Sequence, residues 1–383
     1  MITTAPVPLT GAELDELADA IAAGSTVAGL GESTRFAHET FGVRDELWRL
    51  LVRDHGFRSL ALQDNAFVGA ALDAYVTGGA GTVESALESA WRPWRTGEMA
   101  SAVEWIRAFN QDHPTDPVRI IGVKPAQARP ADYDAVLGHV RRVAPHRLTE
   151  LASHLEPIRS AHEVDEHVQR ARGLHPGRSF AEHARDAFAI VERLPGDSVL
   201  TARMRLIVDF HERSVAGRDD YAGDAQVWAE TITGHQRRTG HRVAYWDGIA
   251  HTSAAPTALG LAPRRGPQPT VGSVLRQRHG TEYVSVAIGF HHGDLGAAVV
   301  PEPAPDWLDA RLGAADRRPA HWLDLRTGDL RRHWEGPAKT RVISGVYDPA
   351  RDAAEHLAVA SLPDAFDVLV HLRRVSPVRW LAT

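Results

Sequence analysis

The chain has 383 residues, 43% hydrophobic and 24% charged, with a formal net charge of −6. This balance is typical of a globular protein with a large core, and it gives no basic field that would favour nucleic acid. The absence of cysteine excludes disulfides, thiolate metal sites and a cysteine nucleophile. We find no secretory signal and no apolar run of the roughly 18 residues that a membrane span needs, so we expect a cytoplasmic protein that acts without membrane or nucleic acid.

The first third of the chain alternates short apolar runs with segments of helical periodicity. In chain order it predicts a helix at 11–22, a strand at 26–30, a helix at 40–55, a strand at 58–63, helices at 66–76, 83–90 and 98–110, and a strand at 118–123. Strands that alternate with helices in this way predict an α/β fold with a mainly parallel central sheet flanked by helices.

Residues 130–215 differ in character, because they are charged, helical in pattern and without a strand signal. We predict that they form a helical insertion within a single domain that spans residues 1–383. A helix at 218–240 and strands at 242–246, 283–290 and 365–371 follow and complete the predicted sheet.

Polar residues follow several of the predicted strands directly. In open α/β sheets, ligands bind beyond the carboxyl ends of the strands, so these residues are candidates for a site. They are Glu32 and Arg35, Gln63, Lys124, and Asp247 with His251.

The segment around Arg35 resembles the first motif of the erythromycin esterase family, which is roughly G-E-x-T-H-G-x-x-E with an arginine nine residues after the histidine. Here it reads Gly31-Glu32-Ser33-Thr34-Arg35-Phe36-Ala37-His38-Glu39, and Arg44 stands at the family distance. Further matches are Gly56-Phe57, Ala61-Leu62-Gln63, Trp94 with Glu98, Trp105, Arg107 and Asn110, Gly122-Val123-Lys124, Arg218-Asp219 with Trp228, Trp246 to His251, and Phe366-Asp367. The resemblance runs over nearly the whole chain and implies an esterase-like fold. Separately, the excess of arginine over lysine and the many alanines and glycines suggest a GC-rich bacterial genome.

The chain departs from the family at positions that carry its chemistry. The resemblance implies a general-base histidine where this chain has Arg35, a glutamate at Gln63, an aspartate at Lys124 and a histidine at Gly248. The first three changes each make the site more positive. We therefore expect the site to bind an anion, because arginine stays protonated and its planar fork suits sulfate, phosphate or carboxylate.

The candidate residues divide by expected role. The candidate bases are Glu32, Asp247 and His251. The candidate substrate-binding residues are Arg35, His38, Arg44, Gln63, Trp94, Glu98, Lys124 and Arg218. Structural alternatives stay open for them: Arg35 could pair with Glu32 or Glu39, Glu32 could cap a helix, Lys124 could be a solvated surface residue, and Trp94 could fill the core.

The sequence His291-His292-Gly293-Asp294 at the end of a strong strand hints at a metal. Such a sequence also suits a turn, and no second group of ligands follows at zinc spacing. We expect no metal and no cofactor.

Three functions are compatible with this sequence. The first is a cyclase or lyase of bacterial antibiotic or other natural-product biosynthesis, which closes a small ring such as an aziridine by eliminating sulfate or phosphate. Its anionic substrate could be bound to a carrier protein or delivered by a partner such as a sulfotransferase. The second is a hydrolase of a macrolactone or other ester, and the third is a non-catalytic protein that binds an anion or supports a partner enzyme.

Overall fold

The computed structural model describes residues 8–175, 177–194, 198–218, 222–343 and 345–382. They divide into two compact units. The sheet unit takes the described residues of 1–64, 68–124 and 222–383, and the helical unit takes those of 65–67 and 125–221. The expected single domain over the whole chain stays a prediction.

The described residues contain the following strands: β1 Val27–Glu32, β2 Phe57–Asn65, β3 Arg119–Lys124, β4 Arg242–Gly248, β5 Ala258–Leu259, β6 Tyr283–Asp294, β7 Val299–Val300, β8 Ala320–Asp324, β9 Ala338–Arg341, β10 His356–Val359 and β11 Val368–Val375. Eight of these form the main sheet, in the order β3-β2-β4-β1-β6-β11-β8, with β7 paired to β6. The pairs β2–β4, β4–β1, β1–β6 and β6–β11 are parallel, and β11–β8 is antiparallel. A smaller sheet has the order β5-β10-β9.

The α-helices of the described residues are α1 Gly11–Ala22, α2 His38–His55, α3 Ala66–Val76, α4 Val83–Leu87, α5 Gly97–Asp112, α6 Pro130–Val143, α7 Leu148–Ile158, α8 Glu166–Ala171, α9 Phe180–Glu192, α10 Ser198–Glu212, α11 Val215–Arg218, α12 Ala222–Thr239, α13 Ile249–Thr252, α14 Val271–His279, α15 Leu308–Ala315, α16 Gly328–His333 and α17 Leu362–Ala365. None of them combines the length and the apolar character that crossing a bilayer requires.

The centre of the sheet explains the apolar run that predicted its first strand. All six residues of β1 are buried, because β4 and β6 flank it and helices cover it. A Cβ atom at Gly31 would lie 2.0 Å from the Thr252 Oγ1 and 3.0 Å from the Ile249 Cα. The glycine therefore lets α13 approach β1 closely, which fixes the short helix that carries His251.

The α/β fold with a mainly parallel sheet is confirmed, and the predicted elements differ from the observed ones mainly at their ends. The helix after β1 ends at His55 as expected, and Gly56 follows it with a left-handed φ of 67°. The predicted helix at 83–90 ends earlier, at Leu87. The last predicted strand was placed too early, because Leu362–Ala365 is helical and β11 begins at Val368. Residues 219–221 of the predicted helix at 218–240 lie outside the described residues.

Candidate functional site

The polar residues predicted at strand ends do lie at one edge of the main sheet. Lys124 is the last residue of β3, Gln63 lies near the end of β2, and Asp247 and Glu32 lie at the ends of β4 and β1. These four strands are consecutive neighbours in the sheet. The sheet thus gathers groups that are distant in sequence, as open α/β sheets do at their ligand sites.

Arg35 lies in the loop after β1 and binds two buried carboxylates. Its Nε donates to the Glu32 Oε1 at 2.9 Å, and its Nη2 donates to the Asp247 Oδ1 at 2.6 Å. The guanidinium also lies over the ring of Trp91, 4.6 Å from the centroid, and 5.3 Å from that of Trp94. Its side chain is 11% exposed, so most of its donor capacity is directed at the protein.

Asp247 has further hydrogen-bond partners. Tyr245, two residues earlier on the same face of β4, donates its hydroxyl to the Asp247 Oδ2, and the Gly248 backbone N–H donates to the Oδ1 at 2.6 Å. A Cβ atom at position 248 would lie 3.6 Å from the Arg35 Nη2. Gly248 therefore leaves space beside the Arg35 guanidinium.

Arg44 does not fit its expected role in substrate binding. Its side chain has no exposed surface, its Nη1 pairs with the Glu32 Oε2, and its guanidinium lies 4.5 Å from the centroid of Trp246. Burial lowers its pKa, and the Glu32 carboxylate opposes that effect. Glu32 is likewise poorly suited to be a base, because it is 1% exposed and pairs with both Arg35 and Arg44. Arg44 pairs with the Glu32 carboxylate, and that carboxylate in turn binds Arg35.

Lys124 is in a different situation from the two arginines. Its Nζ lies between two aromatic faces, 5.2 Å from the centroid of Trp91 and 5.2 Å from that of Trp228 on α12. It is half-buried and forms no ion pair with a carboxylate of the described residues. An ammonium group held by two ring faces can still bind an anion directly.

His251 on α13 lies beside the same tryptophan, with its ring centroid 5.3 Å from that of Trp228. Burial lowers the pKa of His251, Asp247 opposes the shift, and Arg35 and Lys124 add to it. The imidazole is therefore neutral at pH 7 and can accept a proton. Of the three candidate bases, His251 is the one whose environment best suits that role.

His38 and Glu98 form a separate cluster with the C-terminal segment. The His38 Nδ1 lies 2.8 Å from the Glu98 Oε1, and the Arg379 backbone N–H and Nε also donate to that carboxylate, at 3.1 Å and 3.2 Å. The hydrogen bond to Glu98 raises the pKa of His38 although burial opposes it. Glu39 accepts from the Ser376 backbone N–H and hydroxyl at 2.6 Å each, so it anchors the same segment and not Arg35.

The remaining candidates have mixed positions. Gln63 is 5% exposed, and its Oε1 is buried without a hydrogen-bond partner in the described part of the chain. Trp94 is 1% exposed and donates its Nε1 to the Gln63 carbonyl at 3.3 Å, so it supports β2 from within the core. Arg218 ends α11 in the helical unit, whereas the other candidates belong to the sheet unit.

Two residues next to the site were not predicted as part of it. Tyr245 could have been found from the sequence, because residues i and i+2 of a strand share a face and Tyr245 therefore accompanies Asp247. The position of Trp228 against both Lys124 and His251 could not have been found, because it depends on how α12 packs on the sheet.

Solved structures share this fold. A succinoglycan biosynthesis protein matches with a TM-score of 0.65 at 19% identity, covering 98% of this chain and 94% of that chain. A protein from Bacillus cereus matches with a TM-score of 0.66 at 19% identity, covering 100% and 96%. A mutant of the erythromycin esterase EreC in its open conformation matches with a TM-score of 0.53 at 17% identity, covering 94% of each chain.

The sequence family agrees with the fold. The family model for erythromycin esterase matches residues 52–375, which is most of the chain. The chain therefore belongs to the erythromycin esterase family.

Proposed function

We propose that this protein is an enzyme of bacterial biosynthesis that closes a small ring by displacing an anionic leaving group such as sulfate or phosphate. The observation that carries the proposal is the pairing at Trp228 of a neutral imidazole, His251, with an ammonium group, Lys124, that lacks a carboxylate partner among the described residues. One group can accept a proton and the other can receive negative charge, within reach of one substrate.

The reaction assigned to these residues is an intramolecular substitution. The amine or hydroxyl of the substrate attacks the carbon that bears the leaving group, and the new bond to carbon forms as the carbon–oxygen bond of the sulfate or phosphate ester breaks. The proton of the nucleophile passes to His251, and the electron pair of the broken bond leaves with the anion, which Lys124 receives. Holding the two ends of one substrate together supplies much of the rate enhancement.

Arg35 has a supporting role in this scheme. It stands where the family resemblance places the water-activating histidine, and it cannot serve as a base because guanidinium stays protonated. Its bonds to Glu32 and Asp247 hold it beside Trp91, whose other neighbour is Lys124. Its charge adds to that of Lys124 on the side of the substrate, but two carboxylates already compensate much of it.

Ester hydrolysis is the second candidate, because the chain belongs to the erythromycin esterase family and His251 is a neutral base. In that reaction His251 would activate water, and Lys124 would stabilise the tetrahedral oxyanion. The absence of a histidine at positions 35 and 248 argues against the family's own arrangement.

Product mass separates the candidates. A 2-aminoalkyl sulfate is incubated with the enzyme in water enriched in ¹⁸O, and a macrolactone is tested in parallel. Ring closure releases inorganic sulfate and gives a product without ¹⁸O, whereas hydrolysis adds one water to the product. The variants Lys124→Met and His251→Asn should each lower turnover by about 100-fold or more. Unchanged turnover in both would refute the assignment, and sulfate binding without turnover of any substrate would instead favour a binding protein.

A further inference from the structure

The histidine pair at the end of β6 has an unusual geometry. His291 and His292 are consecutive residues of a strand, and consecutive side chains usually point to opposite faces. Their Nδ1 atoms nevertheless lie 2.9 Å apart, and their rings are inclined by 80°. Two imidazole nitrogens that approach so closely must share a proton or a metal ion.

A carboxylate joins the pair from the segment that follows β7. Strands β6 and β7 pair antiparallel, with Gly293 opposite Val300. If this register is continued beyond β7, the residue two positions after Val300 falls opposite His291. That residue is Glu302, and one ring nitrogen of each histidine and one carboxylate oxygen of Glu302 lie within 4.8 Å of one another. The sequence suggested Asp294 as the third member, but its Oδ1 accepts the backbone N–H of Gly296 at 2.8 Å.

Helix α15 limits how the ring of His291 can be placed. His291 is buried beneath α15, where a Cβ atom at Gly313 would lie 2.5 Å from its Cδ2. The helix therefore restricts the ring and keeps its Nδ1 directed at His292.

We propose that His291, His292 and Glu302 form a binding site for a divalent first-row transition metal such as Zn²⁺. Two imidazoles and one carboxylate, with water completing the shell, are a common ligand set for this class of ion. Metal–nitrogen bonds of about 2.0–2.1 Å in a tetrahedral shell separate two nitrogens by about 3.3 Å, so the observed pair needs only a small adjustment. The ion would join the segment after β7 to β6 and would not take part in the proposed ring closure.

The test is a titration of untagged protein with Zn²⁺ by calorimetry, with Co²⁺ as a spectroscopic probe. The variants are His292→Gln and Glu302→Gln, and Asp294→Asn is the matched control, because it alters a carboxylate of the same turn. We expect one saturable site per chain, visible Co²⁺ absorption and a rise in melting temperature with Zn²⁺. We expect each ligand variant to weaken binding at least 10-fold and the control to leave it unchanged.

Three results would overturn the proposal. They are the absence of a saturable site below millimolar Zn²⁺, equal affinities in wild type and both ligand variants, or an equal loss of affinity in Asp294→Asn and Glu302→Gln. Circular dichroism and melting of each variant without metal establish that the fold is intact. Because the readouts are binding and melting temperature, they do not depend on the reaction that the enzyme performs.

Discussion

Replacement of Arg35 by methionine should destabilise the sheet unit strongly. The substitution removes the cation that lies between the buried carboxylates of Glu32 and Asp247, which are 1% and 0% exposed. Glu32 keeps Arg44 as a partner, whereas Asp247 keeps, among the described residues, only the Tyr245 hydroxyl and one backbone N–H. Removing one member of a buried ion pair typically costs 3–5 kcal/mol, and we expect a loss of about that size in the free energy of unfolding near pH 7.

Urea unfolding followed by tryptophan fluorescence is a suitable assay. All ten tryptophans belong to the sheet unit, so the signal reports on the unit that contains Arg35. Adding Asp247→Asn to Arg35→Met should recover part of the lost free energy, since the double variant no longer buries an unpaired charge at position 247. The double-mutant cycle should give a coupling energy of about 2 kcal/mol. The exposed pair of Arg332 with Asp329 provides the control, and Arg332→Met should cost less than about 1 kcal/mol.

Two outcomes would show that the Arg35–Asp247 pair does not stabilise the fold. If Arg35→Met and Arg332→Met had similar free energies of unfolding, Arg35 would not be the partner on which Asp247 depends. If the two single substitutions at Arg35 and Asp247 were additive, the 2.6 Å contact would carry no net energy.

Three further predictions concern the other titratable groups. Lys124→Met should change the free energy of unfolding by less than about 1 kcal/mol, because Lys124 lacks a carboxylate partner among the described residues. The same variant should abolish the rise in melting temperature that sulfate causes. A large loss of stability would contradict this. On acidification, kcat/KM should begin to decrease only below pH 6.5, because burial lowers the pKa of His251. A decrease that begins above pH 7 would exclude His251 as the base. In the helical unit, burial lowers the pKa of His162 to about 4 and that of His211 to about 3. As the pH falls, the unfolded chain therefore binds these protons at a higher pH than the folded chain. The free energy of unfolding should keep its full value above pH 6.5 and should fall at lower pH by about 1.4 kcal/mol per histidine and pH unit. Urea unfolding followed by circular dichroism tests this, and His162→Gln should reduce the slope of the free energy against pH.

The sequence alone was sufficient for the fold class, and it also predicts where along the chain the candidate site lies. Alternating apolar runs and helical periodicity predict an α/β sheet, because burial requires those periods. The polar residues at the ends of β1, β2, β3 and β4 mark the edge where such a sheet gathers them. Ends of elements were less well predicted. The start of β11, for example, depends on the turn of helix at Leu362–Ala365, for which the apolar pattern gives no separate signal.

Only the tertiary structure decided how the charges are distributed. Arg35, Arg44 and Lys124 are equivalent as cations in a sequence, yet two of them pair with Glu32 and the third lies between tryptophans without a carboxylate partner in the described residues. Which cation is compensated depends on the distances between side chains from different strands and helices, and Coulomb energies change steeply over a few ångströms. For the same reason the sequence proposed Asp294 beside the histidine pair, whereas in the structure Glu302 from the segment after β7 lies there.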